Sequence, residues 1–381
     1  MAKDGSTGDA HEGRPSGGVR LVNPSVCRGS TVVFPTYAEF TARSRPFFYG
    51  RMGTPTHAAL CESVAALEHA DHVTLAPSGL AAVTVAILSF CEAGGHLLVT
   101  DSAYDPTRAF CEGMLRTYGV ETEFYDPRAD VAPLIRPNTS AILAESPGSL
   151  TFEVQDLRAL AGHGVPVIVD NTWSAGAYLK PLDLGCAVSV QAATKYLGGH
   201  SDVFLGTVAA NGRVGARVQR TARQLGLATS PDDAALVHRG MRTLHRRLAV
   251  HEETGLGLAR WLEAREEIAG VLHPGLPSHP DHALFARDFT GSTGLFAARL
   301  RRTDAAYVAA FLDSLTLFGM GYSWGGYESL CIPTWPDRHR TVGPVAPGQW
   351  LRFHAGLEAL PDLTADLARG FAAANAIPEA A

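Results

Sequence analysis

The stretch AVSVQAATKYLGGHSD, residues 187–202, decides the fold. It reads as a buried strand that delivers Thr194 and Lys195 to a glycine-rich turn, where apolar walls lower the pKa of an amine. An amine held this way suits Schiff-base chemistry. The plain alternative is a lysine that snorkels into solvent from a strand end.

Working outward, Val165–Val169 is an unbroken apolar run, the mark of a strand buried on both faces, and it stops at Asp170. That puts a carboxylate at a crevice floor, with Asn171, Thr172 and Trp173 shaping the approach, although a strand-end cap would need no ligand. Upstream, an apolar strand over Val73–Ala76 runs into Pro77-Ser78-Gly79 and a helix from Leu80 to Cys91. Free amides at such a helix start suit a phosphate; a simple Ser cap explains the same residues. Strands at Leu97–Val99 and Ala141–Ala144 end near Tyr104 and at Glu145-Ser146-Pro147-Gly148, edges where open α/β sheets bind ligands. With one more strand over Val203–Ala210, strands and helices alternate across residues 54–240, predicting a mostly parallel, doubly covered sheet.

Residues 241–381 read differently, as a smaller C-terminal α+β domain. A helical stretch over Leu244–Ala269 is followed by Pro274, Pro277 and Pro280, a strand over Thr293–Leu300, a helix over Ala305–Leu315, a strand over Trp350–His354 and a helix over Leu363–Phe371. Arg352 lies among apolar neighbours on its strand. A buried arginine needs an anion, and Glu358 is the only local acid, so an internal ion pair competes with a ligand clamp. His251-Glu252-Glu253 resembles the start of a zinc-binding helix motif, but position 255 is Gly255, and no metal is expected.

Composition narrows the partners. A net charge of -6 offers no basic surface for nucleic acid, and no run of 18 apolar residues suggests a membrane span. The six cysteines have no C-x-x-C spacing and read as small core residues in a reducing cytoplasm. Residues 1–18 are polar and lack the apolar core of a signal peptide; they read as a disordered tail. Residues 19–53 read as an N-terminal arm whose Phe47, Phe48 and Tyr49 pack on a neighbouring subunit.

Taken together, an amine, a carboxylate, a phosphate-ready helix start, an aromatic and a carboxylate-seeking arginine are the parts pyridoxal phosphate needs. The texts YGRMGTPTH from Tyr49, ESPGSLTFEV from Glu145, VDNTWSAG from Val169, SVQAATKYLGGHSD from Ser189, RGMRTLHRRL from Arg239, YSWGGYESL from Tyr322 and LRFHAGLE from Leu351 make the resemblance specific. From about Val32 to Phe371 the chain resembles the Cys/Met-metabolism family of pyridoxal-phosphate enzymes, and within it most closely the bacterial cystathionine β-lyase branch.

The resemblance implies a PLP-dependent transferase-like (aspartate-aminotransferase-like) α/β fold, with residues 54–240 as the cofactor domain. It implies Lys195 as the Schiff-base lysine and proton carrier and Asp170 as partner of the ring nitrogen. Tyr104 would stack on the ring and assist the incoming amine, and Gly79, Leu80 and Thr194 would hold the phosphate. Tyr49 and Arg51 would reach the phosphate of a neighbouring subunit, implying a homodimer doubled to a homotetramer. Arg352, helped by Tyr322, Ser323 and Trp324, would clamp the α-carboxylate of an amino-acid thioether. The implied reaction expels a thiolate from the β-carbon and yields pyruvate and ammonia. γ-Elimination or γ-replacement is the alternative, and a cofactor-binding regulator without catalysis is a remoter one. Met52 and Ala109 stand where the β-lyase branch often carries an arginine and an acid, which favours a smaller or less polar cysteine conjugate over cystathionine.

Overall fold

Strands whose every residue is apolar can be buried only if both faces of their sheet are covered, and the tertiary arrangement meets that demand. The structure, a computed structural model, describes residues 4–14, 21–43 and 45–378. The larger sheet contains β1 (His72–Ala76), β2 (His96–Thr100), β3 (Glu121–Tyr125), β4 (Thr139–Glu145), β5 (Val167–Asp170), β6 (Val188–Ala192) and β7 (Gly206–Ala210). Their order is β1-β7-β6-β5-β4-β2-β3, and all run parallel except β7, which lies antiparallel between β1 and β6.

The helices of this part, in chain order, are α1 (Gly5–His11), α2 (Tyr37–Ala42), α3 (Pro55–Glu68), α4 (Gly79–Leu88), α5 (Asp105–Phe110), α6 (Leu157–Gly162), α7 (Gly212–Gln224) and α8 (Pro231–Met241). Strand side chains alternate between two cores. Leu97, Val99, Ala141, Leu143 and Ile168 pack with α4 and α7, whereas Leu98, Ile142, Ala144, Val167 and Val169 face α6 and the smaller domain. This two-sided burial is why Val165–Val169 reads as a continuous apolar run.

The second sheet is antiparallel throughout, in the order β10 (Leu330–Thr334), β11 (Trp350–His354), β9 (Leu295–Leu300), β8 (Ile268–Leu272). It packs with α9 (Leu244–Glu263), α10 (His282–Asp288), α11 (Ala305–Asp313) and α12 (Leu360–Asn375). α9 belongs to both parts: Leu244 and Leu248 enter the core beside α3 and α8, while Leu258, Ala259 and Leu262 enter the core of the small sheet. Two further ties close the junction. Trp173 Nε1 donates to the Leu295 carbonyl at 3.0 Å, and the buried Asp101 carboxylate accepts from Arg108, Arg340, Thr341 and Val342.

Four readings of the sequence need correction. Part of the expected disordered tail is helix α1, because Asp9 accepts from the His245 amide and ring while Arg242 donates to the carbonyls of Asp9 and Glu12. The rest of that expected tail, residues 1–3 and 15–18, lies outside the described residues. The helix expected over Leu244–Ala269 stops at Glu263, and Ile268 begins β8, where pairing with β9 outweighs helical periodicity. β3 and β10 were not expected. β3 is a charged edge strand, and β10, also at an edge, contains Pro333, a residue that argues against a central strand but is tolerated at an edge. Finally, Glu358 does not pair with Arg352; its carboxylate accepts from the amide and hydroxyl of Ser329.

Candidate active site

Adjacent parallel strands end at the same edge of the sheet, so whatever follows them converges. Register pairs Glu145 with Asp170 at the ends of β4 and β5, and Lys195 follows the end of β6. These groups line one cleft of about 250 Å³ together with Gly79, Tyr104 and Arg352. Ser78, Leu80, Thr194, Phe204 and Trp324 complete the walls that matter for chemistry.

Lys195 is held from two directions. Its backbone amide donates to the Ala192 carbonyl at 3.0 Å, and its Nζ donates to Ser323 Oγ at 2.7 Å. Trp324 lies beside it, with Nζ 5.1 Å from the ring centroid. Burial, reinforced by the positive charge of Arg352 and opposed by Asp170, brings the amine down to about pKa 8. The amine is therefore closer to neutrality than an exposed lysine.

Asp170 receives the Thr172 hydroxyl at 2.5 Å and the Thr172 amide at 3.1 Å. The same hydroxyl accepts from the Ala192 amide at 2.9 Å, coupling the carboxylate to the strand that precedes Lys195. Burial raises the pKa of Asp170; the Thr172 hydrogen bonds and Lys195 pull it back. Arg352 has no carboxylate partner among the described residues: its Nη2 donates to the Ser323 carbonyl at 3.0 Å, and burial lowers its pKa to about 10. A buried cation with that arrangement is set up for an outside anion.

At the other end, Ser78 caps α4 by accepting from the Ala81 amide at 3.1 Å, leaving the Gly79 and Leu80 amides as the unsatisfied first donors of the helix. A side chain at Gly79 would overlap Ala192 Cβ, so glycine is what allows the helix start to approach β6. Thr194 Oγ1 sits between the amide and the carbonyl of Leu205, at 3.2 and 3.4 Å, and faces the cleft. Tyr104 precedes α5, and its amide donates to Glu145 at 2.7 Å; burial and the nearby Glu145 raise the pKa of its hydroxyl.

Pyridoxal phosphate fits these residues on their own properties: a depressed amine, a carboxylate held in the floor without an arginine or lysine salt bridge, and free helix-start amides beside a hydroxyl. Not every expected residue joins them. Tyr322 is 92% exposed and does not line the cleft, and Ser323 touches it through Lys195. Tyr49 and Arg51 lie away from the cleft of their own chain, where Arg51 donates to the Arg223 carbonyl at 3.2 Å. Two further residues have a place that local sequence does not reveal: Glu145, which lines the cleft and accepts from the Tyr104 amide, and His354, which accepts from the Gly325 amide. The apolar face of an antiparallel strand hides both the partner and the burial of such a histidine. Among the described residues, no group of three or more His, Cys, Asp or Glu side chains is disposed to hold a metal ion.

The fold and cleft define a pyridoxal-phosphate-dependent α/β enzyme. Residues 6–372 match the family model for Cys/Met metabolism PLP-dependent enzymes, and the chain belongs to that family. A relative from Rhizobium johnstonii is 46% identical over 367 residues, covering 94% of this chain and 93% of its own length. The cystathionine beta-lyase of Salmonella typhimurium is 42% identical, with 92% of this chain and 93% of that protein aligned. Among solved structures, cystathionine gamma synthase from Xanthomonas oryzae pv. oryzae superposes with a TM-score of 0.92 at 30% identity, covering 99% of this chain and 100% of that one. No helix among the described residues is long and apolar enough to cross a membrane.

Proposed function

We propose that this chain is a carbon–sulfur β-lyase that cleaves L-cystathionine or a related cysteine S-conjugate to a thiol, pyruvate and ammonia. The observation that carries the reading is the cleft itself, in which the Lys195 amine, the Asp170 carboxylate and the Arg352 guanidinium converge. The likeness to the Salmonella cystathionine beta-lyase supports β- over γ-chemistry.

Pyridoxal phosphate, when bound, supplies the electron sink that makes the substrate α-proton acidic. Each side chain then has a definable task. Arg352 binds the substrate α-carboxylate, and its bond to the Ser323 carbonyl sets the direction of the guanidinium. Lys195, as a free amine, takes the α-proton at Nζ, a task that its depressed pKa suits near neutral pH. Asp170, oriented by Thr172, would hold the ring nitrogen of the cofactor and favour its positive charge. Gly79, Leu80 and Thr194 would hold the phosphate and Tyr104 would lie against the ring, while Trp324 stands beside the Lys195 amine.

Tyr49 and Arg51 act in the site of a neighbouring subunit, so the working unit is a homodimer, doubled to a homotetramer. Their distance from their own cleft and the exposed Tyr37, Phe40 and Tyr49 of the same arm support this. With Met52 and Ala109 supplying no charge for a distal amino-acid group, the favoured substrate is a cysteine S-conjugate smaller or less polar than cystathionine. Product analysis tests the reading: pyruvate with free thiol is expected, and 2-oxobutyrate would overturn it in favour of γ-elimination. A higher kcat/KM for cystathionine than for S-alkyl cysteines would overturn the substrate preference alone.

A further inference from the structure

β11 carries two polar side chains on one face, Arg352 and His354, two residues apart in an otherwise apolar strand. Both reach into the same turn of the chain, residues 322–326. Arg352 Nη2 donates to the Ser323 carbonyl at 3.0 Å, while His354 Nε2 accepts from the Gly325 amide at 3.0 Å and lies 3.1 Å from the Gly326 carbonyl. The turn contains one backbone conformation that a side chain disfavours: Ser323 has φ 78°, while Gly325, at φ 86°, adopts its conformation without steric cost. It also presses directly on the lysine, since a Cβ at Gly325 would stand about 3 Å from the backbone of Lys195 and Tyr196.

We infer that His354 is a positioning residue whose Nε2 pins the Gly325–Gly326 backbone, so that the strained turn presents Ser323 Oγ to Lys195 and the Ser323 carbonyl to Arg352. Three observations bear on this. The imidazole is buried at 1% exposure and packs on Tyr196, the residue after Lys195, and on His251, with ring centroids 5.9 and 5.2 Å away. Its only polar contacts among the described residues are with this turn, and its Nδ1 has no partner. Burial, then the proximity of His251, with Arg352 and Lys195 adding to it against the Gly326 carbonyl, holds the ring well below the usual histidine pKa, which favours the neutral form that can accept at Nε2. If the pin is removed, Ser323 is free to leave its left-handed conformation and take its hydroxyl away from Nζ.

The test compares His354→Gln, whose amide reaches the Nε2 position and can accept or donate there, with His354→Asn, which reaches only Nδ1, and His354→Phe, which keeps shape and no polar atom. The first readout, which rests on the lyase reading, is kcat and KM of the holoenzyme with a cysteine S-conjugate. Asn and Phe should lose about tenfold or more in kcat/KM, the equivalent of one buried hydrogen bond, with KM rising as Arg352 loses its orientation, while Gln stays within about threefold of the parent. The second readout does not depend on that reading: the rate at which an amine reagent labels Lys195 in the full-length chain stripped of cofactor. It should rise about threefold or more in Asn and Phe and stay unchanged in Gln, because Nζ is freed only when Ser323 moves. Gln falling as far as Asn, or Asn and Phe both matching the parent in labelling, would overturn the role. If the Phe variant does not fold, the Gln and Asn pair decides. A parent protein with no lyase activity would overturn the lyase reading and leave the labelling comparison to judge His354.

Discussion

The two walls of the cleft present comparable chemistry through different kinds of structure. On the large-domain side, Asp170, Lys195, Glu145 and the start of α4 are gathered by one rule: parallel strands end together, and helices begin there with free amides. On the small-domain side, Arg352 and the Ser323–Trp324 turn are positioned by a few side-chain hydrogen bonds across an antiparallel strand. The first wall inherits its geometry from the sheet; the second depends on individual contacts. Changes to the large-domain wall should therefore damage the reaction or the hold on cofactor, and changes to the small-domain wall should mostly loosen the substrate.

Lys195→Ala should give the largest effect, a loss of about a thousandfold or more in thiol release and of the covalent link that colours the protein yellow. Thiol assay and visible absorbance check it. Arg352→Leu should cost about a hundredfold in kcat/KM, carried chiefly by KM in steady-state kinetics, because an anion loses its buried cationic partner. The same variant should raise the pKa of Lys195 above about 8, since Arg352 is the charge that adds to burial in lowering it. The sign is testable in the parent enzyme: Lys195, once substrate has displaced it from the cofactor, must be unprotonated to accept a proton, so kcat should climb with pH, and in Arg352→Leu that rise should move to higher pH.

Gly79→Ala should weaken cofactor binding by about tenfold, measured by equilibrium titration with pyridoxal phosphate, as the new methyl pushes α4 away from Ala192. The smallest effect is expected for Trp324→Phe, about twofold to fivefold in kcat/KM, because a weaker aromatic face remains beside the amine. Equal KM effects from Gly79→Ala and Arg352→Leu would erase the distinction between the walls. A separate check concerns the arm: mixing inactive Arg51→Ala and Lys195→Ala chains should restore measurable activity through hybrid dimers, and no restoration would place Arg51 outside the shared site.

The large-domain wall was legible in the sequence because its signals are local. An apolar run ending in Asp170, or a strand that delivers Thr194 and Lys195 to the turn just beyond it, carries its own address, since in a parallel sheet the strand end is the ligand edge. The small-domain wall was legible only in part. Arg352 stood out as a charge among apolar residues, but its nearest acid in sequence, Glu358, is occupied by Ser329 in space. His354 gave no signal, because a histidine in an apolar strand reads as core until the turn that it grips is placed beside it. The helix over Leu244–Glu263 was overextended because nothing after Glu263 breaks the chain before β8 begins.

By itself, the sequence determined the alternation of strands and helices, the strand ends that lead to Asp170 and Lys195, and the small-residue turn at Ser78-Gly79 that opens α4. All of these follow from periodicity and the steric needs of neighbouring residues. Tertiary structure alone decided that Lys195 Nζ meets Ser323, 128 residues away, and that the Arg352 charge stands near it without an acid partner. Those contacts join two domains through antiparallel pairing and the packing of α9, and such long-range placement leaves no mark in the local pattern of either partner.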